Sequence, residues 1–202
     1  MFIIMGNIKA LANGSKKDAI LKKAAVLFRL KGFKASSMRE LALTIGVEAP
    51  SLYNHIVSKS ELLQHICFSV ANEFTLQLQE VELSKVSNTK KLEQLIRFHI
   101  KMMAHSFDEV YVANNEWKYL DEPYLSDFLK QRRVYENKMV QLVKEGILKK
   151  ELKNVHPYVS VLTILSAVRG VEFWQRQKKD ISVEELENNM VSYLITGLNN
   201  IK

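Results

Sequence analysis

Cysteine, proline and glycine are all scarce: 202 residues hold one Cys, three Pro and seven Gly. So few turn-formers argue against an all-β sandwich or barrel and against a Gly-rich nucleotide-binding α/β domain. The lone Cys67 has no partner for an intrachain disulfide, which fits a reducing cytosol. No apolar run approaches the roughly 18 residues needed to cross a bilayer, so no membrane partner is expected. The apolar opening from Met1 to Met5 stops at Gly6, short of the about 7–15 apolar residues of a secretory signal. It reads as a frayed end or a misplaced start codon, and the expected location is cytoplasmic. Catalytic motifs are missing too: no Gly-x-Ser-x-Gly, no Gly-rich phosphate loop, no His-Glu-x-x-His and no Cys-x-x-Cys. No catalytic residue, metal or cofactor is therefore assigned. An all-α enzyme stays as a rival class, because carboxylate pairs need not be close in sequence.

Hydrophobic residues make up 47% of the chain, enough for a real core in one or two domains. The charge is unevenly spread. Residues 1–65 carry 10 Lys and Arg against 4 Asp and Glu, whereas residues 66–202 carry 19 against 18. Such an asymmetry marks either a basic end that meets a polyanion or a solvated basic surface.

Helical periodicity runs through the whole chain. Ser15 opens a segment in which Ile20, Ala24, Leu27 and Phe28 share one helical face, and Gly32 ends it. Ser37-Met38-Arg39-Glu40 reads as a capping box, the serine side chain bonding the amide three residues on while Glu40 reaches back. That helix continues through Leu41, Ala42 and Ile45 to Gly46. A third, short helix runs from Ala49 to His55 with Pro50 in its first turn, where a missing N–H costs little. Ser58-Lys59-Ser60-Glu61 is a second capping box and launches a long helix through Phe74. Two helices joined by a short Gly-containing turn form the helix-turn-helix plan, whose second helix enters the DNA major groove. On that helix Ser51, Tyr53, Asn54 and His55 are short or planar polar groups able to reach phosphates or base edges, and Arg39 is able to fork onto a guanine. Tyr53 equally suits a ring packed against the core and His55 a helix-end cap. Lys59 stands at a helix start, where cations are disfavoured, which points to an external anion or to a solvated charge.

The pattern Ile20-Leu21-x-x-Ala24-Ala25-x-Leu27-Phe28-x-x-x-Gly32-Phe33, then Ser37-Met38-x-x-Leu41-Ala42-x-x-x-Gly46-Val47, then Ser51-Leu52-Tyr53-x-His55-Ile56-x-x-Lys59 resembles the TetR/AcrR family of bacterial transcriptional regulators over residues 15–65. The resemblance implies phosphate contacts from Ser37, Tyr53 and Lys59. It implies base or groove contacts from Arg39, Ala49, Pro50, Ser51, Asn54 and His55. Ile56 departs from the family's usual Phe. Asn54 departs from the Trp of the tetracycline-responsive member, so the operator sequence does not carry over.

Beyond a polar stretch at 81–90, read as a loop, further helices are expected. Leu92, Leu95, Ile96, His99, Met102 and Met103 form one apolar face. Pro123 starts a helix that ends near Gly146, Pro157 starts one that is apolar almost all round, and Ser182 caps the last. Such late helices need a partner to bury them, and a twofold homodimer also matches a palindromic operator. The segment around Trp117, Arg132 and Tyr135, with Trp174 and Arg176 further on, is similar to a TetR subgroup governing sterol and fatty-acid catabolism. That likeness implies an acyl-CoA-like or other small apolar inducer, its chain among Met102, Met103, Trp117, Tyr135 and Leu165. Arg132, Arg133, Arg169 and Arg176 would then contact phosphate or carboxylate oxygens. The plainer reading makes these Met and aromatic residues core and pairs Arg169 with Glu172. His99 and His105, six apart, lack the spacing of a helical metal pair and read as packed or surface residues.

The expectation is therefore all-α: a tri-helical helix-turn-helix DNA-binding domain over residues 1–62, with the motif at about 37–56, and a helical ligand-binding and dimerisation domain over 63–202. The expected function is a homodimeric repressor that meets double-stranded operator DNA through two readers and contacts its twin through the last two helices, at residues of about 157–200. A small-molecule inducer releases it. The alternative within the same scaffold is an occlusion factor without small-molecule control.

Overall fold

The structure, a computed structural model, describes residues 3–54, 56–177 and 180–199, with the side chains of all of these except 3–15 and Ala49. Among the described residues the chain is all-α, as its composition and periodicity lead one to expect. The helices are α1 (Ile3–Lys31), α2 (Met38–Ile45), α3 (Ala49–Tyr53), α4 (Lys59–Leu83), α5 (Asn88–His105), α6 (Phe107–Asn115), α7 (Tyr124–Leu148), α8 (Pro157–Arg169), α9 (Val171–Gln177) and α10 (Val183–Leu198), with a single 3-10 turn at Trp117–Tyr119. The first helix thus begins well before Ser15. The chain sorts into two compact units, one of residues up to Val70 together with Asp108–Phe128, the other of Ala71–Phe107 with Leu129 onward.

The first unit is built on the face read from the sequence. Ile20, Ala24, Leu27 and Phe28 are buried, and so are Leu41 and Ala42 of α2, Leu52 of α3, and Leu62 and Leu63 of α4. Each such Leu or Phe, once buried, contributes about 1.5–3 kcal/mol. Gly32 ends α1 in the left-handed region, φ 82°, where a side chain would be strained. Its N–H donates to the Phe28 carbonyl at 2.8 Å.

Residues from far along the chain close this unit. Arg29 pairs with Asp108 of α6. The Phe33 N–H donates to Glu116 Oε2 at 2.9 Å. The Phe33 ring meets Phe28 edge-on at 5.3 Å and stacks with Tyr119 at 5.8 Å. Helix α6 is an addition to the sequence reading. At nine residues it is too short to show a clear period, and only Ser106, with neither Gly nor Pro, separates it from α5.

In the second unit the apolar face of α5 is buried through Leu92, Leu95, Ile96, Ile100 and Met103. Arg97 reaches from it to α10, its Nη1 donating to Glu187 Oε1 at 2.8 Å and Asn188 Oδ1 at 3.0 Å. The loop expected over 81–90 shrinks to residues 84–87. On one side Val81 is core and keeps α4 helical; on the other the Ser87 hydroxyl accepts from Lys90 N at 3.2 Å. The Glu151 carboxylate adds a second cap to α5, accepting from Asn88 N at 2.6 Å and Thr89 N at 3.2 Å. Helix α7 runs past Gly146 to Leu148, because that glycine answers a close approach rather than a helix end. A Cβ there would lie 2.7 Å from Leu152 Cδ1 and 3.3 Å from Asn88 Cβ. Ser182 caps α10 as expected, accepting from Glu185 N at 3.1 Å.

Candidate nucleic-acid interface and ligand site

Helix α2 starts where its capping residues place it. Ser37 is extended, its Oγ accepts from Glu40 N at 3.2 Å, and Glu40 Oε2 accepts from both Ser37 N at 2.9 Å and Ser37 Oγ at 3.0 Å. Hydrogen bonds from Lys31 first, and then from Ser37, hold the Glu40 carboxyl below its ordinary pKa. At the other end Gly46 adopts φ 80°, and the N–H groups of Gly46 and Val47 both return to the Ala42 carbonyl at 3.0 Å. That left-handed residue turns the chain sharply enough to start α3 three residues later. Pro50 sits in the first turn of α3, and Leu52, 1% exposed, pins the helix inward. What remains faces solvent: Arg39 on α2, then Pro50, Ser51, Tyr53 and Asn54. Tyr53 is 52% exposed, so its ring is no core element. Ser37 is exposed as well, although its hydroxyl is committed to the cap. His55 and the side chain of Ala49 lie outside the described residues.

Lys59 turns inward. Its Nζ donates to the carbonyls of Phe33 at 2.7 Å, Ser36 at 2.8 Å and Lys34 at 3.3 Å, and lies 4.5 Å from the centre of the Phe33 ring. All three N–H bonds of the ammonium are spent on the loop between α1 and α2. The second capping box is half formed: Ser58 Oγ accepts from Glu61 N at 3.1 Å, but the Glu61 carboxylate reaches Val57 N at 2.7 Å instead of Ser58.

The residues expected at a ligand divide between the units. Trp117 belongs to the first, on the 3-10 turn. In the second, Met103 is buried, Met102, Arg132, Tyr135, Leu165 and Trp174 are half-buried, and Arg169 and Arg176 are exposed. Glu172 pairs with Arg176 at 2.5 Å, so the ion pair open to Arg169 from sequence forms one turn further on. Trp174 Nε1 donates to the Ile181 carbonyl at 3.3 Å, and Gln175 Nε2 donates to the carbonyls of Met103 at 3.1 Å and Ala104 at 2.7 Å. Helix α9 is thereby tied to the C-terminal end of α5.

His99 is the residue that sequence reasoning passed over. Its Nε2 lies 2.9 Å from Tyr135 Oη, and its ring stacks on Phe74 at 4.4 Å. Burial, with a smaller contribution from the charge of Arg169, pushes its pKa down to about 3, while burial pushes the Tyr135 phenol up. The imidazole is therefore neutral at physiological pH. Below its ordinary value of 6.5 the unfolded chain takes up a proton here that the folded chain refuses, so stability falls on acidification. The expected slope is up to about 1.4 kcal/mol per pH unit between those two values. Urea unfolding of the wild type and of His99→Gln from pH 7 to pH 5 checks it. Equal slopes in the two proteins would mean that His99 charges within the fold.

The late helices leave several large apolar side chains in water. Tyr158, Val159 and Leu162 of α8 and Tyr193 of α10 are 49%, 52%, 50% and 75% exposed. Among the described residues no helix is long and apolar enough to cross a membrane, and no three His, Cys, Asp or Glu residues gather as a metal site.

A family model described as bacterial regulatory proteins, tetR family, matches residues 20–66, and one described as tetracyclin repressor-like, C-terminal domain, matches residues 85–198. The HTH-type transcriptional repressor KstR2 of Mycolicibacterium smegmatis is 23% identical over 189 residues, 91% of either chain. The structure of the ketosteroid transcriptional regulator KstR2 of Mycobacterium tuberculosis is similar with a TM-score of 0.86 at 17% identity, over 92% of this chain and 96% of that one. AibR in complex with isovaleryl coenzyme A and operator DNA is similar with a TM-score of 0.78 at 23% identity, over 89% and 97%. At these identities the structural likeness speaks for the fold.

Proposed function

The chain belongs to the TetR family of bacterial regulatory proteins, and from that premise we propose that it is a cytoplasmic transcriptional repressor, binding a palindromic operator as a homodimer and released by a small-molecule inducer of acyl-CoA type. The observation that carries the DNA half is the solvent-facing set Arg39, Pro50, Ser51, Tyr53 and Asn54, held on a backing of buried Leu41, Ala42 and Leu52. Ala49 and His55 belong to the same reader by their place in the sequence. Ser37 supports it through the α2 cap, and Lys59 through its hold on the preceding loop, while its positive charge still adds to the field that draws phosphates. The proposed division of labour follows the chain, with DNA contacts in residues 1–62 and inducer and dimer contacts in 63–202.

Two reader helices held about 34–36 Å apart meet successive major grooves. An inducer that fits only a differently spaced dimer lowers operator affinity by its own differential binding free energy. The inducer class is supported by the fold shared with AibR, whose structure holds isovaleryl coenzyme A. Apolar Met102, Met103 and Leu165 suit an acyl chain; Arg132, Arg169 and Arg176 suit the oxygens of a coenzyme A.

Fluorescence-anisotropy titration against DNA from upstream of the gene, in excess nonspecific competitor and with or without a pool of acyl-CoA thioesters, tests this reading. Competitor-resistant binding relieved by the pool supports it. Binding that ignores the pool removes the inducer class and keeps the regulator. Arg39→Ala is expected to weaken operator binding by about 1–3 kcal/mol and to relax the sequence requirement at one base pair. Titration against operators altered one base pair at a time shows this. A uniform loss across all of them would make Arg39 a phosphate contact instead.

A further inference from the structure

The buried face of α5 is apolar at Leu92, Leu95, Ile96, Ile100 and Met103, and His99 interrupts it. Two other helices that contribute to the second unit meet that imidazole. Phe74 from α4 covers one face with the rings 27° from parallel, and Tyr135 from α7 meets it at 70° with Oη 2.9 Å from Nε2. A neutral imidazole has one N–H and one bare nitrogen, and a phenol has one O–H. The single bond between them uses one donor and one acceptor. Whichever tautomer is present, one donor is left over, either Tyr135 O–H or His99 Nδ1–H. Among the described residues neither group has another hydrogen-bonding partner. The buried side-chain nitrogen or oxygen left without a partner among the described residues is Asn88 Nδ2, so the spare donor here stands at an edge that solvent reaches, open to an external acceptor. Both residues are only partly buried, so the spare donor is not sealed against one.

Resting on the reading of the second unit as the inducer-binding part, we propose that His99 and Tyr135 form a polar anchor, selecting an inducer whose apolar body carries an uncharged oxygen, a carbonyl, over its plain hydrocarbon analogue. A carboxylate fits poorly, because a neutral imidazole brings no charge to offset desolvation of an anion. For an acyl thioester the anchor reads an oxo group on the acyl chain. A site built to bond an oxygen rejects the analogue lacking it, because its own polar group is then left unpaired.

Calorimetric titration of the wild-type dimer with octanoyl-CoA and with its 3-oxo, 5-oxo and 7-oxo isomers tests this. At least one isomer is expected to bind about tenfold tighter than octanoyl-CoA, the worth of one neutral hydrogen bond. That preference is expected to fall below about twofold in Tyr135→Phe, in His99→Phe or in both, and the variant that loses it identifies the donor. The ratio is the readout, so packing losses shared by all four ligands cancel. A preference absent from the wild type, or surviving in both variants, overturns the anchor. If no thioester binds, the inducer class fails separately, and 2-nonanone decides. A shift of the His99 side-chain nitrogen resonance on adding the ketone to wild type, with no such shift from octane, keeps the anchor; no shift overturns it.

Discussion

Leu162→Glu is expected to turn the protein into a monomer at micromolar concentration and to weaken operator binding by at least about 100-fold, or roughly 2.7 kcal/mol. Tyr158, Val159 and Leu162 leave half of their surface in water on α8, and Tyr193 of α10 leaves three quarters. Large apolar side chains left in water on two late helices are the kind of surface that association covers. In the proposed twofold contact each subunit would bring one such carboxylate, and burying an unpaired charge is costly. Operator affinity falls when dimerisation is lost, because a single reader then pays the whole entropy of binding its half-site alone. Sedimentation velocity and anisotropy on the same samples read both effects. Leu148→Glu, at an 80% exposed position on α7, serves as the control with the same change of chemistry. A Leu162→Glu protein that stays dimeric and binds operator as before would move the interface away from α8.

Lys59→Met is expected to cost about 2–3 kcal/mol of stability, nearer the effect of a core truncation than of a surface charge. Hydrogen bonds to a charged donor are worth about 1.5–3 kcal/mol each, and three carbonyls lose theirs at once. The Lys34 carbonyl regains water easily, whereas Phe33 and Ser36 are buried residues, so the net falls between one bond and two. Operator binding weakens too, since the loop that carries Ser37 into the α2 cap is released. Urea unfolding gives the first quantity and a salt titration of operator binding the second. If stability is unchanged while the salt slope drops by about one unit, Lys59 is a phosphate contact that turns outward on DNA.

What was legible in the sequence was local. The start of α2, the left-handed turn at Gly46 and the start of α10 each depend on a side chain or backbone angle acting within three or four residues, so the residue types alone announce them. The features that escaped notice join distant positions. Lys59 looked like a cation waiting for an anion, because the three carbonyls that occupy it come from 23 to 26 residues earlier. His99 looked like one more packed residue, since Tyr135 stands 36 positions away. Its signal was a titratable ring at a position three residues from Ile96 on a face otherwise apolar, which asks for a partner before it asks for anything else. Helix α6 left no trace of period in nine residues, and what it does depends on Arg29, far upstream.

The pairing of Arg29 with Asp108 and of Phe33 with Glu116 spans 79 and 83 residues. This has a consequence for the order of events during synthesis. Helices α1 to α3 leave the ribosome early, yet the side chains that close their unit arrive only with residues 108–128. At about 5–20 residues per second, the end of α1 waits roughly 4–17 seconds for its partners. Through that interval the reader residues are already exposed, on a support that still lacks its acidic and aromatic braces. The unit begun first is thus complete only when residue 128 has been made, and a chain that stops short of α6 carries the letters of the reader without its frame.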